Sequence, residues 1–155
     1  MVEIINSFIP RADCKELAAM ADLHESDFSD SSGVRRQVGI NGGLSDFYVW
    51  KYWKFSSDAS ELFDRVVPLE TLKTFNEAWF LRFKKDGFFD TYKSKSDLFN
   101  IISVPLRDGQ RFIIGDEEIN TVTGNAIKFN LATYHEVPIV TTTTTNDYLV
   151  FIVLD

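Results

Sequence analysis

Cysteine is almost absent from this chain: its 155 residues include one, Cys14, with two histidines, His24 and His135, and four prolines. A single cysteine closes no internal disulfide and excludes zinc sites built from several thiolates. In the apolar pattern of a helix opening at Pro10, Cys14 reads as a small core residue. No stretch reaches the roughly 18 consecutive apolar residues of a membrane-spanning helix, and no basic segment followed by an apolar run opens the chain. The expectation is a soluble, cytoplasmic protein with no membrane partner. Positive charge is also in deficit. Sixteen Lys and Arg against 23 Asp and Glu give a formal net charge of −7, which disfavours nucleic acid, because phosphate binding rests on Lys and Arg displacing counterions. The acidic groups alternate with basic ones instead of forming a run, so they read as a solvated surface and not as a DNA-mimicking face. Phosphate loop, dinucleotide fingerprint and nucleophile elbow are missing, and Gly39-x-x-Gly42-Gly43 reads as a turn. Cys14 and His24, at different points along one helix, do not read as a thiol and base pair.

What is present is apolar and aromatic. Hydrophobic residues make up 45% of the chain and aromatics 14%, with 14 Phe. That is enough for one domain, residues 1–155, that buries about 70% of its unfolded surface. Val2 to Phe8 alternates as a strand, and Pro10 at a first-turn position opens a helix to about Leu23, with Leu17, Met20 and Ala21 on one stripe. His24 to Ser45 is rich in Ser, Asp and Gly and reads as a mobile loop across the mouth of a barrel. Phe47 to Phe55 reads as a strand. Asp58 and Glu61 have capping-box spacing, and Pro68 marks a helix stop. Thr71 to Lys85 reads as a strand closed by the Asp86-Gly87 turn. Short strands follow at Phe99–Leu106, Arg111–Ile114, Glu118–Val122, Ala126–Asn130, Glu136–Thr141 and Tyr148–Leu154, with Arg107-Asp108-Gly109 and Thr123-Gly124-Asn125 as turns. The Thr141 to Thr145 run suits an extended strand.

The segment from Ala78 to Pro138 holds three informative pieces: AWFLRFKKDGFFDTYKSKSD, FNIISVPL and GNAIKFNLATYHEVP. DYLVFIVLD follows at the C-terminus, and the opening IINSFIPRADCKEL adds a strand, a turn and a helix with a Cys near its start. In order and content these pieces resemble the 2-oxoglutarate/Fe(II)-dependent oxygenases, and the prolyl-hydroxylase-like members in particular. The resemblance implies an α+β fold, a double-stranded β-helix (jelly-roll) barrel with N-terminal helices packed on one sheet. In that family the first piece ends in His-x-Asp, the third supplies a second His, and an Arg or Lys about ten residues on holds the cosubstrate carboxylate.

Here the His-x-Asp register falls on Tyr92-Lys93-Ser94, a phenol, an ammonium and a hydroxyl. His135 matches the distal histidine. Asp90 shares a strand face with Tyr92 and is a carboxylate ligand only in a shifted register. The resemblance thus leaves His135 and Asp90 as metal candidates, short of the two His and one carboxylate that Fe(II) needs unless His24 folds back. The clamp position falls near Thr145, and Ile139 to Asp155 contains no Arg or Lys. Arg111 on a central strand is a candidate substitute, and a surface Arg is the better explanation of it. Asp90, Tyr92, Ser94, Arg111 and His135 are therefore expected to line the pocket. Trp50 and Tyr52 alternate with Lys51 and Trp53, so one aromatic set is core and the other is partly exposed.

The resemblance and the missing ligands together point to a pseudoenzyme, a non-catalytic binding or protein-interaction domain without a cofactor. Its ligand would be an unidentified protein or small molecule, and exposed sheet edges allow a homodimer. One alternative is a divergent Fe(II)/2-oxoglutarate-dependent hydroxylase using Asp90 and His135, with Arg111 on the cosubstrate. The other is an acidic inhibitor or assembly protein that binds a basic partner surface.

Overall fold

In the run NDYLVFIVL near the C-terminus, the seven residues from Tyr148 to Leu154 are apolar on both faces, the pattern of a strand buried on both sides. In the computed structural model this run is the central strand of the larger of two sheets. The structure describes residues 2–30, 48–83, 88–89, 99–108, 111–114, 117–130, 139–141 and 146–154. In chain order the elements are β1 (Glu3–Ile5), α1 (Arg11–Leu23), β2 (Ser29–Asp30), β3 (Tyr48–Lys51), α2 (Ser57–Val66), α3 (Leu69–Thr74), β4 (Phe75–Phe83), β5 (Phe88–Phe89), β6 (Phe99–Pro105), β7 (Arg111–Ile114), β8 (Glu117–Asn120), β9 (Ala126–Asn130), β10 (Ile139–Thr141) and β11 (Asn146–Leu154).

A seven-stranded sheet runs β1-β9-β6-β11-β4-β3-β2, and a four-stranded sheet runs β5-β10-β7-β8. All their pairings are antiparallel. Side chains alternate across the larger sheet and divide its core in two. On the outer face Trp50, Phe80, Val104, Leu149 and Phe151 pack with Cys14, Leu17, Ala21, Leu62 and Phe63 of α1 and α2. On the inner face Phe83, Ile127, Phe129, Tyr148 and Val150 form a second cluster, which Ile119 of the smaller sheet joins. The layers are thus helices, larger sheet and smaller sheet. Among the described residues, no helix is long and apolar enough to cross a membrane.

Several sequence expectations change. β1 stops at Ile5, because Ser7 turns the chain with φ 51 and its N–H donates to Asn125 Oδ1 at 2.9 Å. β3 ends at Lys51, and Tyr52–Lys54 form one 3-10 turn. There Trp50 Nε1 donates to the Lys54 carbonyl at 3.3 Å, and the Tyr52 ring meets Phe63 and Phe75. Asp58 is not a cap: Ser56 holds the N-cap position of α2, and its hydroxyl donates to Asp58. Pro68 starts a helix instead of stopping one. It is the N-cap of α3, with φ −53 already set for a helical turn, so the strand expected from Thr71 begins only at Phe75. The strand expected from Glu136 is described from Ile139 onward, and Thr142 to Thr145 lie outside the described residues. Of the expected loop His24–Ser45, the first part is packed structure. Glu25–Asp27 form a 3-10 turn, Ser29 pairs with Val49, and Phe28 lies against Trp50 and Phe80. The rest of that loop lies outside the described residues.

Candidate functional site

The inner face of the larger sheet forms a wall turned toward the smaller sheet, whose Ile119 packs on it. Register defines that wall. Tyr148 pairs with Leu81 and Pro105, Val150 with Trp79 and Ser103, and Ile101 with Phe129, all on the inner side. Phe83 stands edge-on to Tyr148, with ring centroids 6.1 Å apart and planes at 89°. None of these inward positions carries a charge. Beside them Lys51 pairs with Trp79 and holds its ammonium 4.9 Å from that ring's centre, a cation stacked on the same wall.

Of the pocket residues expected from sequence, Asp90, Tyr92, Ser94 and His135 lie outside the described residues, as does Lys93. Arg111 opens β7, where its backbone pairs with Asn120 and with Thr141; the next pair along, Phe112–Ile119, is the one whose Ile119 packs on the inner cluster. His24 is on the other side of the larger sheet. It stacks on Trp50, a residue of the outer cluster, at 4.9 Å and 28°. Its Nδ1 is 2.8 Å from Asp27 Oδ2 and its Nε2 is 3.0 Å from Asp58 Oδ2. Folding back as a third metal ligand is therefore not what His24 does. Hydrogen bonds that its ring N–H groups donate to Asp58 and Asp27 raise its pKa above the ordinary imidazole value.

Cys14 is fully buried, and its thiol donates to the Ile9 carbonyl at 3.7 Å. Burial, with the Asp13 carboxylate adding to it, pushes the thiol pKa up to about 11, so it is no nucleophile at neutral pH. The aromatic alternation is as expected. Trp50 is core, while Trp53 is 71% exposed with the Lys54 ammonium 5.0 Å from its ring centre.

Sequence reasoning missed a buried ionic cluster where β4 and β11 run toward the barrel mouth. Asp147 has no exposed surface and faces the helices. It accepts hydrogen bonds from Arg82 Nε at 2.7 Å, Arg82 Nη2 at 3.1 Å and Arg107 Nε at 2.9 Å. Asp22, near the end of α1, receives Arg82 at 2.6 Å and Arg107 at 2.9 Å. Burial alone would lower the Arg82 pKa, but hydrogen bonding and charge from Asp147 and Asp22 outweigh it and hold the guanidinium above its ordinary value. Burial pushes the Asp22 carboxyl up less than its bonds to Arg107 and Arg82 pull it down. The cluster ties α1, β4, β11 and the turn after β6 together. Its charges are committed to one another.

No protein-family model matches the chain, and no curated protein matches it by sequence. Solved structures do. A Pseudomonas putida prolyl-4-hydroxylase superposes over 99% of this chain and 92% of its own, with a TM-score of 0.68 and 10% identity. The viral collagen prolyl hydroxylase of Paramecium Bursaria Chlorella virus-1, solved with 2-oxoglutarate (2OG), covers 99% of this chain and 96% of its own, with a TM-score of 0.64 and 10% identity. A 2OG-Fe(II) oxygenase family oxidoreductase from Burkholderia pseudomallei covers 99% and 84%, with a TM-score of 0.58 and 14% identity. At these identities the likeness is one of fold: the chain has the double-stranded β-helix fold of the 2-oxoglutarate oxygenases, with helices added on one sheet.

Proposed function

We propose that this chain is a non-catalytic, 2-oxoglutarate-oxygenase-like domain that binds a protein or small molecule through the mouth of its barrel. The carrying observation is the pairing of that fold with Tyr92-Lys93-Ser94 where the metal-binding His-x-Asp belongs. Two further features support the reading. Ile139 to Asp155 holds no Arg or Lys to clamp a dicarboxylate, and the inward positions Trp79, Leu81, Phe83, Tyr148 and Val150 are uncharged. Tyr92, Lys93, His135 and the part of the loop after Asp30, residues 31–45, are the contact surface in this reading, since His24 to Asp30 is packed on the helix side of the sheet. A pocket can keep its shape and bind by complementarity after its metal chemistry is gone.

The deciding experiment is titration of the protein with Fe(II), Mn(II) and Zn(II) by calorimetry, with His135→Ala alongside. Weak or no binding is expected, because two candidate ligands, Asp90 and His135, do not make a selective Fe(II) site. A stoichiometric site tighter than about micromolar, lost in His135→Ala, would overturn the proposal in favour of the divergent hydroxylase. Amide hydrogen exchange tests the contact surface. Protection of residues 31–45 that rises on adding the true ligand supports it, and full protection in the free protein assigns the loop a structural role.

A further inference from the structure

Helices α1 and α2 leave an open groove of about 610 Å³ between them, on the helix layer. Its apolar strip comes from Ala19, Met20 and Leu23 of α1 and Leu62 of α2. Leu23, at one end, is 74% exposed, an aliphatic side chain left in water. The rim is acidic: Glu16, Asp58 and Glu61 line it against one lining cation, Arg65; Glu16 is bound to that guanidinium at 2.7 Å and Asp58 to His24 at 3.0 Å, and Glu61 stands outside these pairs. Glu16, Ala19, Met20 and Leu23 recur at i, i+3, i+4 and i+7, and Asp58, Glu61, Leu62 and Arg65 repeat that spacing. Each helix therefore presents one continuous stripe along the groove.

We infer that this groove is a docking site for an amphipathic helix of a partner protein, with aliphatic residues on one face and Lys or Arg on its flanks. The ridge of a third helix fits between two neighbouring helices, and its anchors at i, i+3, i+4 and i+7 match an apolar strip of this form. Charge selects the partner. Three rim carboxylates outnumber the Arg65 guanidinium and the His24 ring that engage two of them, so the rim, with Glu61 outside those pairs, attracts basic flanks and repels acidic ones, in a chain whose net charge is −7. With 13 residues, α1 runs for about 20 Å, so a partner segment of about 14 residues spans it. The inner cluster of the barrel lies on the opposite face of the larger sheet, so this surface works whether or not the barrel turns over a substrate.

The test uses the full chain and a synthetic peptide of about 14 residues, with Leu on one helical face and Lys on the flanks. Two controls are a scrambled peptide of the same composition and a peptide with Glu in place of Lys. Fluorescence anisotropy should show saturable binding of the Leu/Lys helix alone, weakened about tenfold or more in the double variant Leu23→Ser, Glu61→Lys. Both positions are exposed, and matching thermal melts establish that the variant is folded. Equal binding of the scrambled peptide, unchanged binding by the double variant, or no binding of the Leu/Lys helix each overturns the inference. So does self-association of the chain that the same double variant abolishes, since a second copy is then the occupant.

Discussion

Asp147 accepts two hydrogen bonds from the guanidinium of Arg82, at 2.7 Å and 3.1 Å, across paired strands whose partners are 65 residues apart in sequence. The Arg82 side chain is 3% exposed and that of Asp147 is 0% exposed. Two charges are therefore taken out of water at the ends of β4 and β11, where the barrel wall approaches its mouth. Their desolvation is offset only because each finds its counter-ion in a fixed geometry, with Asp22 and Arg107 completing the set.

Removing one member leaves the others uncompensated. Asp147→Ala should cost about 3–5 kcal/mol, read as a fall in the urea midpoint with little change in slope. Arg107→Ala, on a side chain that is 34% exposed, should cost no more than about 1–2 kcal/mol. A double-mutant cycle on Arg82 and Asp147 should show strong coupling. If Asp147→Ala is within about 1 kcal/mol of wild type, the cluster is not what holds these strand ends.

His24 should make stability depend on pH. Its folded pKa lies above the ordinary 6.5, so its contribution is fully present below about pH 6.5 and is lost as pH rises through the folded value. Melting temperatures of wild type and His24→Gln should differ most on the acidic side and converge above the folded pKa. A constant difference across that window would mean that stacking on Trp50, and not the ion pairs with Asp27 and Asp58, accounts for the histidine.

Gly124 has φ +87, and a Cβ there would overlap the Ile9 carbonyl oxygen. Its own carbonyl accepts from Ile9 N–H at 3.2 Å, and its N–H donates to Pro105 at 3.0 Å. Gly124→Ala should therefore destabilise by about 1–3 kcal/mol or more, by forcing the chain away from the start of α1. A neutral substitution in a thermal melt would show that this turn relaxes freely.

Succinate formation with Fe(II), ascorbate and 2-oxoglutarate should stay at background, because Ile139 to Asp155 holds no Arg or Lys to clamp the cosubstrate carboxylate. Turnover that disappears in Arg111→Ala would place the clamp on β7 and reject the non-catalytic reading.

Much of the fold was legible in the chain. β9 was read at Ala126–Asn130 as it occurs, and β6 and β11 to within one or two residues, because alternation between a buried and a second face repeats every two residues whatever the fold around it. Pro10 marked the start of α1 for a local reason too, since its ring presets φ. The same residue type misled at Pro68, where a stop and a start look alike until the following turn is seen to bury Thr71. The expected site positions Asp90, Tyr92, Ser94 and His135 lie outside the described residues, so the reading of the site rests on the sequence.

By itself the sequence determined the strand periods, the starting point of α1, the acidic balance and the missing ligand chemistry, because each is written in neighbouring residues. The tertiary structure alone decided that Arg82, Arg107, Asp22 and Asp147 are one buried cluster, that His24 belongs to the helix layer, and that α1 and α2 leave an acid-rimmed groove. A charged residue in sequence looks like surface. Whether it is buried depends on a counter-ion that long-range strand pairing brings within hydrogen-bonding distance, and no local pattern encodes that distance.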